Sequence, residues 1–254
     1  DSLVHLSLVQ DKGDGWYEIH PLLRRYFRDK LEASPHAEPA KRRYCGIMAK
    51  KSAEMPQDTT VEIVEEFKPF LLHLQASVGE YPQYIADEDL LWSYTGLAWY
   101  YNGQGLYAIA EPYYQDCLTA TRTRLGENHP HVALSLNNLA LLYYSQGRYT
   151  EAEPLYLEAL DLTKRLLGDN HPRVAASLNN LAYLYYSQGR YTEAEPLYLE
   201  AINIATQALG ENHPHTQTVY QNYLEMLSQL PEAELRQRFP DEVVEMLKPK
   251  PPHP

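Results

Sequence analysis

The sequence predicts an all-α protein, an α-solenoid of stacked helical hairpins preceded by a short N-terminal β-hairpin and one helix. The first observation behind this prediction is an internal repeat, since residues 132–173 recur as residues 174–215 with 31 of 42 aligned positions identical. A fixed period of this length is typical of stacked repeats, in which each unit completes the core of its neighbour. The second observation is the spacing of apolar residues in each copy, which follows two helices. The third is the composition, because 22 tyrosines against 4 phenylalanines suit helices that are half exposed.

The first 34 residues contain a hairpin pattern followed by a helical pattern. A polar Asp-Gly turn over residues 11–15 separates an apolar segment from an aromatic and β-branched run over residues 16–20, which is a β-hairpin signal. Pro21 then begins a stretch with apolar residues at helical spacing. A hairpin with one helix is too small to bury a core of its own. We therefore expect residues 1–34 to be the C-terminal part of a domain whose main body lies upstream.

The run WYEIHPLLRRYFRDKL, residues 16–31, resembles the end of the winged-helix subdomain in NB-ARC-type STAND nucleotide switches. In that family a Met-His-Asp triplet stands at this junction, and its histidine contacts the β-phosphate of bound ADP. The residues Ile19, His20 and Pro21 match the triplet at the central residue alone. The resemblance implies a nucleotide-sensing role for His20 in the presence of an upstream domain. The alternative left open is that His20 is only the N-cap of the helix that starts at Pro21.

Catalysis is not expected from the residues given. The chain contains no Gly-rich phosphate-binding loop of the form GxxxxGK[ST], so it offers phosphates neither a cradle of backbone amides nor a lysine. No Ser/His/Asp or Cys/His set recurs in a pattern that suggests a pocket. We therefore expect this chain to be no enzyme and to need no cofactor, with any nucleotide hydrolysis located upstream of it.

Residues 35–89 are predicted to be a helical connector between the upstream domain and the repeats. The two prolines within residues 33–40 indicate a linker. A helical pattern follows over residues 41–55, and a second one over residues 61–78. We expect Pro69 to kink or restart the second helix, because proline removes a backbone amide from the helical ladder.

The repeats are predicted over residues 90–230, as about three and a half units, followed by a cap and tail over residues 231–254. Each unit should consist of two helices, A and B. In the second unit, Pro130 stands in the first turn of helix A, and Gly147 ends that helix at a position that tolerates left-handed geometry. Thr150 with Glu153 predicts a capping box at the start of helix B, with Pro154 in its first turn.

The apolar stripes of helices A and B resemble a tetratricopeptide repeat (TPR) array. The family pattern is filled in order by Leu136, Leu139, Ala140, Tyr143, Gly147, Arg148, Tyr149, Ala152, Tyr156 and Ala159. The ordinary TPR period is 34 residues. The longer unit found here resembles the kinesin-light-chain type, which also occurs as the sensor arm of STAND proteins. The resemblance implies a protein–protein interaction module in which helix A lines a concave groove.

Helix A residues that face away from the apolar stripe are the candidate ligand contacts. Asparagine amides can hold an extended peptide backbone with both a donor and an acceptor, and Trp and Tyr are frequent anchors. The predicted peptide-binding groove consists of Trp92, Thr95, Trp99, Leu134, Asn137, Asn138, Leu141, Tyr144, Asn179, Asn180, Tyr183, Tyr186, Gln221 and Asn222. The alternative for Asn138, Asn180 and Asn222 is that their amides stabilise the packing of repeats through local hydrogen bonds.

The charge distribution bounds the partner. Residues 1–54 hold ten Lys/Arg against eight Asp/Glu, whereas the remainder holds twelve against twenty-six and so has a net charge of −14. An acidic repeat surface repels phosphate backbones, which argues against nucleic acid. Because no Arg or Lys stands among the predicted groove residues, we expect a neutral or basic protein or peptide ligand. The same charge would also serve solubility alone.

Cysteine and histidine usage suggests neither a disulfide framework nor a metal site. Cys45 and Cys117 form no CxxC pair, so a reducing, cytoplasmic compartment is expected, and Cys117 aligns with Ala159 and Ala201 as a small core residue. The histidines in the turns between units are explained by helix starts rather than metal binding. No membrane span or signal peptide is expected.

Two functions remain open from the sequence. The first is the C-terminal TPR ligand-sensing arm of a bacterial-type STAND signalling NTPase, which could oligomerise through its upstream nucleotide-binding domain. The alternative is a free-standing TPR adaptor that binds a peptide in its concave groove. Neither hypothesis names the ligand.

Overall fold

The protein begins with a strand pair and continues as helices. The computed structural model describes residues 9–13, 16–19, 21–57 and 59–247, with side chains from residue 25 onwards except residue 27. Strand β1 (Val9–Gly13) pairs antiparallel with β2 (Trp16–Ile19), and the register shifts between Asp11 and Gly13. Helix α1 (Pro21–Glu32) follows directly. His20, the predicted nucleotide sensor or N-cap, lies outside the described residues.

Three helices separate α1 from the repeats. They are α2 (Ala37–Ala53), α3 (Val61–Phe67) and α4 (Leu71–Gly79). Helix α2 starts four residues earlier than the sequence indicated, because Pro39 falls in its first turn, where the missing amide costs nothing. Pro69 restarts the helix as predicted, through a 3₁₀ turn between α3 and α4. Two more 3₁₀ turns, Pro82–Tyr84 and Asp87–Asp89, lead to the first repeat.

The repeats are antiparallel hairpins of one A helix and one B helix. The first pair is α5 (Leu90–Asn102) with α6 (Tyr107–Leu125). The others are α7 (Pro130–Ser145) with α8 (Tyr149–Leu167), and α9 (Pro172–Ser187) with α10 (Tyr191–Leu209). Helix α11 (Pro214–Ser228) is a further A helix, and α12 (Glu232–Arg238) and α13 (Asp241–Leu247) close the described chain. Every B helix of these pairs also packs against the following A helix, which generates the solenoid.

Histidine followed by proline starts the A helices of the second to fourth units. His129, His171 and His213 are N-caps, and the Nδ1 atom of each accepts the backbone amide two residues later at 3.1 Å. The next residue is proline at the first helical position, as predicted. The recurring His-Pro therefore serves helix initiation. At the other end of α7, Gly147 adopts a φ of +72°, which confirms its left-handed geometry.

The start of helix B differs from its prediction. Helix α8 begins at Tyr149 with Arg148 as N-cap and no side-chain cap, so the predicted capping box of Thr150 with Glu153 is wrong. Thr150 is already the second residue of α8, because the helix begins two residues after the left-handed turn at Gly147. Pro154 consequently lies inside the helix instead of in its first turn.

One core runs through the described repeats. Small residues at matching positions, Cys117 in α6, Ala159 in α8 and Ala201 in α10, are fully buried and let neighbouring helices approach closely. Burial raises the pKa of the Cys117 thiol to about 12. This confirms Cys117 as a small core residue. The largest fully buried side chains among the described residues are Tyr156 and Tyr198.

A Glu–Tyr–Arg set, here called the repeat clamp, joins consecutive units. In the first clamp, the Tyr143 hydroxyl donates to Glu111 at 3.1 Å and the Arg148 guanidinium donates to the same carboxylate at 2.7 Å. The guanidinium also lies 4.0 Å from the centre of the Tyr143 ring, which is cation–π geometry. The second clamp repeats this arrangement one period later, with Glu153, Tyr185 and Arg190.

The third clamp takes its arginine from a different element. The Tyr223 hydroxyl donates to Glu195 at 2.9 Å, and Arg238 at the end of α12 donates to the same carboxylate. The 42-residue period would place that arginine at position 232, where the chain has Glu232. Helix α12 thus completes a clamp that the next repeat would otherwise supply. Leu235 of α12 and Val244 of α13 are buried.

The N-terminal end of the array is closed by α2, which crosses α5 at Gly96. A Cβ atom at Gly96 would overlap the side-chain and carbonyl oxygens of Ser52. The Ser52 hydroxyl donates to the Trp92 carbonyl at 2.8 Å. The close approach therefore depends on a residue without a side chain.

Among the described residues, no helix combines the length and apolarity that a membrane crossing needs.

Candidate functional site

The asparagines of the A helices form side-chain pairs between repeats. The Asn180 Nδ2 atom donates to Asn137 Oδ1 at 2.8 Å, and Asn222 Nδ2 donates to Asn179 Oδ1 at 2.9 Å. The packing role left open by the sequence is therefore present for Asn180 and Asn222. Each bond uses one donor and one acceptor, so the amide nitrogen of Asn137 and the amide oxygen of Asn180 keep their capacity for a ligand.

The corresponding pair one repeat earlier does not form. Thr95 stands at the position of Asn137, and its hydroxyl donates to the Leu91 carbonyl at 2.8 Å in its own helix. Thr95 is only 1% exposed. Its predicted place in the groove is therefore withdrawn. Asn138, the residue that would have paired with it, is half-buried.

Five tyrosines of α7, α8, α9 and α10 form a continuous ladder of rings, here called the tyrosine row. Neighbouring ring centres are 5.6 to 6.1 Å apart along the order Tyr149, Tyr144, Tyr183, Tyr186 and Tyr191. The Tyr144 and Ser187 hydroxyl oxygens are 2.9 Å apart, and the Tyr186 hydroxyl donates to the Glu225 carboxylate at 3.4 Å. The predicted residues Tyr144, Tyr183 and Tyr186 are therefore brought together on one surface.

Two clefts that share Asn180 form the groove beside the tyrosine row. The first has a volume of about 150 Å³ and is lined by Leu141, Tyr144, Tyr156, Asn179, Asn180, Tyr183 and Asn222. The second has a volume of about 90 Å³ and is lined by residues of α7, the end of α8 and the start of α9. It includes the predicted Leu134 and Asn137. The structure thus places most of the predicted contacts of the second and third repeats along one groove.

The predicted contacts of the first repeat lie elsewhere. Trp92 and Trp99 pack edge to face with ring centres 6.2 Å apart, and Trp92 is 38% exposed. They form a separate aromatic surface on α5 and line neither cleft. Gln221 on α11 is exposed and also lines neither cleft.

Arg173 is a groove residue that the sequence reasoning missed. It lines the second cleft as the second residue of α9, one helical turn before Ala176. The matching positions in the neighbouring A helices are His131 and His215. The sequence signal was its place just after the helix-starting proline, because the first turn of an A helix also faces this cleft. The groove therefore has one basic end.

A buried phenol stands behind the tyrosine row. Tyr198 is fully buried in α10, and its hydroxyl has no hydrogen-bond partner among the described residues. Burial raises the pKa of Tyr198, with further increases from the nearby Tyr183 and Tyr186 rings and the Glu225 carboxylate. The hydroxyl therefore stays protonated.

Acid–base and metal chemistry find little support in the described part of the chain. No three His, Cys, Asp or Glu side chains there are placed to hold a metal ion. His131 has a lowered pKa because of burial, with contributions from His129 and Arg173, which favours the neutral imidazole of a packed residue. The groove offers hydrogen bonds, aromatic faces and shape.

The stacked hairpins and the groove along their A helices define a helical-repeat scaffold. Family models described as tetratricopeptide repeat match residues 90–131, 131–205 and 174–234. These matches together span more than half of the chain, which therefore belongs to the tetratricopeptide repeat family. Such repeats are protein–protein interaction modules, and that class applies to this chain.

Solved structures show the same fold. The chain is similar to BtubC (BKLC) from P. vanneervenii, with a TM-score of 0.55 and 20% identity over 83% of this chain and 88% of that chain. It is also similar to a Podosopora anserina putative kinesin light chain with nearly identical TPR-like repeats, with a TM-score of 0.55 and 20% identity over 85% of this chain and 96% of that chain.

A variant of the Podosopora anserina protein gives a TM-score of 0.57 at 20% identity, over 84% of this chain and 95% of that chain. Comparison with curated proteins gives no match. Likeness at this identity concerns the fold, and it confirms the kinesin-light-chain-like form of the repeats.

Proposed function

We propose that the groove along α7, α9 and α11 binds an extended peptide segment of a partner protein. The observation that supports this proposal is the row of paired asparagines, which line both clefts and retain unused donors and acceptors. A peptide backbone presents alternating donors and acceptors, which matches the chemistry of primary amides.

The spacing of the amides suits an extended chain. Packed helices lie about 8–10 Å apart, and a strand rises roughly 3.3 Å per residue. Successive A helices would therefore meet about every third peptide residue. Asn137, Asn180 and Asn222 would then each serve a different segment of the ligand, and Leu134 and Leu141 would contact its apolar side chains.

The proposal can be tested with peptides selected from a displayed library of random 12-residue sequences on the whole chain, then synthesised and measured by fluorescence anisotropy. We expect Asn180→Ala to weaken binding about tenfold through lost hydrogen bonds. Asn203→Ala is the matched control, because Asn203 lies exposed on α10 and its side chain accepts a hydrogen bond from Gln207 of its own helix. Failure to select any peptide, or equal affinity for the Asn180→Ala variant, would contradict groove binding.

We also propose that this module is the C-terminal, ligand-sensing arm of a STAND signalling NTPase. The element order supports it, since the paired strands and α1 come first, α2 to α4 follow, and α2 packs directly on the first repeat. In this proposal residues 1–34 are the C-terminal part of a winged-helix subdomain, and residues 35–89 are the helical connector. Residues 90–230 are the TPR array, and residues 231–254 are its cap and tail. Its ligand would be neutral or basic, and the free-standing adaptor is the alternative.

The gene decides between these two settings. The sensing-arm proposal expects a phosphate-binding loop with a GK[ST] sequence to be encoded upstream in the same reading frame. A reading frame that lacks such a loop would favour the free-standing adaptor and would leave peptide binding by the groove unaffected.

A further inference from the structure

The two tyrosines of each Tyr-Tyr pair in the A helices have opposite environments. The first tyrosine is already covered by a cation, since Arg148 lies over the Tyr143 ring at 4.0 Å and Arg190 lies over the Tyr185 ring at 3.9 Å. The second tyrosine of each pair, Tyr144 or Tyr186, belongs to the tyrosine row and faces away from these arginines. Within the described residues, no Lys or Arg lies over the rings of Tyr144, Tyr183 or Tyr186.

A carboxylate stands at the edge of this uncovered ring surface. Glu225 of α11 is exposed and accepts a hydrogen bond from Tyr186. Burial raises the pKa of Tyr144, and Tyr183 and the Glu225 charge raise it further, against the lowering effect of the hydrogen bond with Ser187. The rings of Tyr144, Tyr183 and Tyr186 and the Glu225 carboxylate therefore lie together on one surface.

This combination has one chemical complement. The face of an aromatic ring is negative and attracts a cation, and a carboxylate accepts hydrogen bonds from ammonium or guanidinium groups. An anionic side chain would be repelled by Glu225. A neutral aromatic ligand would stack on the rings but would leave Glu225 without a new partner.

We propose that the tyrosine row and Glu225 bind a lysine or arginine side chain of the peptide that occupies the groove. The inference rests on the proposed function and specifies its ligand as a basic peptide. The net charge of −14 over residues 55–254 would draw such a peptide towards the array. Arg173 lines the other cleft and not the one beside the row, so it does not fill this position.

The chain offers a substitution that the fold already accepts. Leu141 stands one period before Tyr183, in the same place on its A helix. Tyr183→Leu therefore removes the central ring of the row and introduces a side chain that the fold already holds at the equivalent position of another A helix. Trp99→Leu is the matched control, because position 99 is the same site in the first repeat, outside both clefts.

Glu225→Gln removes the carboxylate and keeps its size. Glu62→Gln is its control, since it removes the same charge from α3, outside the repeats. A loss of affinity shared by both variants would mean general electrostatic attraction and would overturn the inference. A loss confined to Glu225→Gln is the expected result.

The measurement uses the selected 12-residue peptides in two synthetic forms. In the second form arginine is replaced by citrulline or lysine by norleucine, which preserves length and removes charge. We expect the selected peptides to contain Lys or Arg and the neutral forms to bind about tenfold more weakly. Tyr183→Leu and Glu225→Gln should weaken binding of the charged form more than binding of the neutral form.

The failures of the two proposals are distinguishable. If peptides bind in an Asn180-dependent way but their charged and neutral forms bind equally, the basic-ligand inference is overturned and groove binding stands. Selected peptides that are aromatic and uncharged would have the same meaning. If no peptide binds, or if binding ignores Asn180, both proposals fail together.

Discussion

Gly96 is the residue on which the contact between α2 and α5 depends. It lies in the middle of α5, where glycine weakens a helix by about 1 kcal/mol relative to alanine. The chain nevertheless has glycine there, and the other A helices have an asparagine at the aligned position. The difference is explained by Ser52, whose oxygens occupy the space that a side chain would need.

We expect Gly96→Ala to lower the free energy of unfolding by about 1–3 kcal/mol, because overlap with the Ser52 carbonyl forces the backbones apart. Gly46→Ala is the control on the other helix of the same contact. The nearest atom to its new Cβ would be Asp89 Oδ2 at 3.9 Å, so the change should stabilise α2 slightly. Urea unfolding followed by circular dichroism compares the two. Equal midpoints for both variants would contradict the close approach.

At the scale of elements, helix α12 supplies a contact that a following repeat supplies elsewhere in the array. In the first two clamps the arginine comes from the turn between helices A and B of the following unit. In the third clamp Arg238 reaches Glu195 from the end of α12. The first repeat has Leu106 at the arginine position, and the preceding period has Pro69 where a partner glutamate would stand. Arginine and glutamate thus occur together across each junction.

We predict that Arg238→Ala increases hydrogen exchange in α11 several-fold, because it leaves the half-buried Glu195 without its cation. Exchange in α7 should not change, since repeats contact only their neighbours. Arg236→Ala is the control. It removes the same charge from α12, but its partners Glu232, Asp241 and Glu245 all belong to α12 and α13. Equal exchange in the two variants would show that the clamp does not hold the end of the array.

The elements were predictable where local pattern decides them. The stripe of Leu136, Leu139, Ala140 and Tyr143 is buried as predicted, because two near-identical copies carry the same helical spacing. The start of α8 was not predicted correctly. The Thr150–Glu153 pattern suggests a capping box. The helix instead begins at Tyr149, shortly after the turn at Gly147, and the Arg148 guanidinium donates a hydrogen bond to Glu151.

The candidate site was harder to predict, because its details depend on contacts between units. The asparagine bonds join residues 43 positions apart in the sequence, one more than the repeat period of 42. This offset depends on how neighbouring A helices are shifted relative to each other along their axes. Thr95 has the right periodic position, and yet it is buried. Arg173 belongs to the groove through the first turn of α9, which the stripe pattern does not include.

At the scale of the whole molecule, a solenoid is held by its neighbour contacts, so its ends need cover. Helices α2 and α4 cover α5 at the N-terminal end, and their buried side chains include Cys45, Met48 and Leu74. By contrast, the described side chains of α1 form ion pairs with the rest, namely Arg28 with the exposed Glu80 and Glu32 with the buried Lys41, and an exposed pair contributes little to stability. The two segments should therefore differ in their value to the array.

We predict that a chain of residues 37–254 unfolds in urea at nearly the same midpoint as the whole chain, whereas residues 90–254 lose several kcal/mol. Burial of each large apolar side chain contributes about 1.5–3 kcal/mol, and removal of residues 37–89 exposes the face of α5 that holds Leu90 and Leu91. The shorter chain should also self-associate at high concentration, which sedimentation would detect. If both chains matched the whole protein in midpoint, α2 to α4 would be a tether outside the cooperative unit. If both lost stability equally, α1 would have to contribute as much as α2 and α4 do.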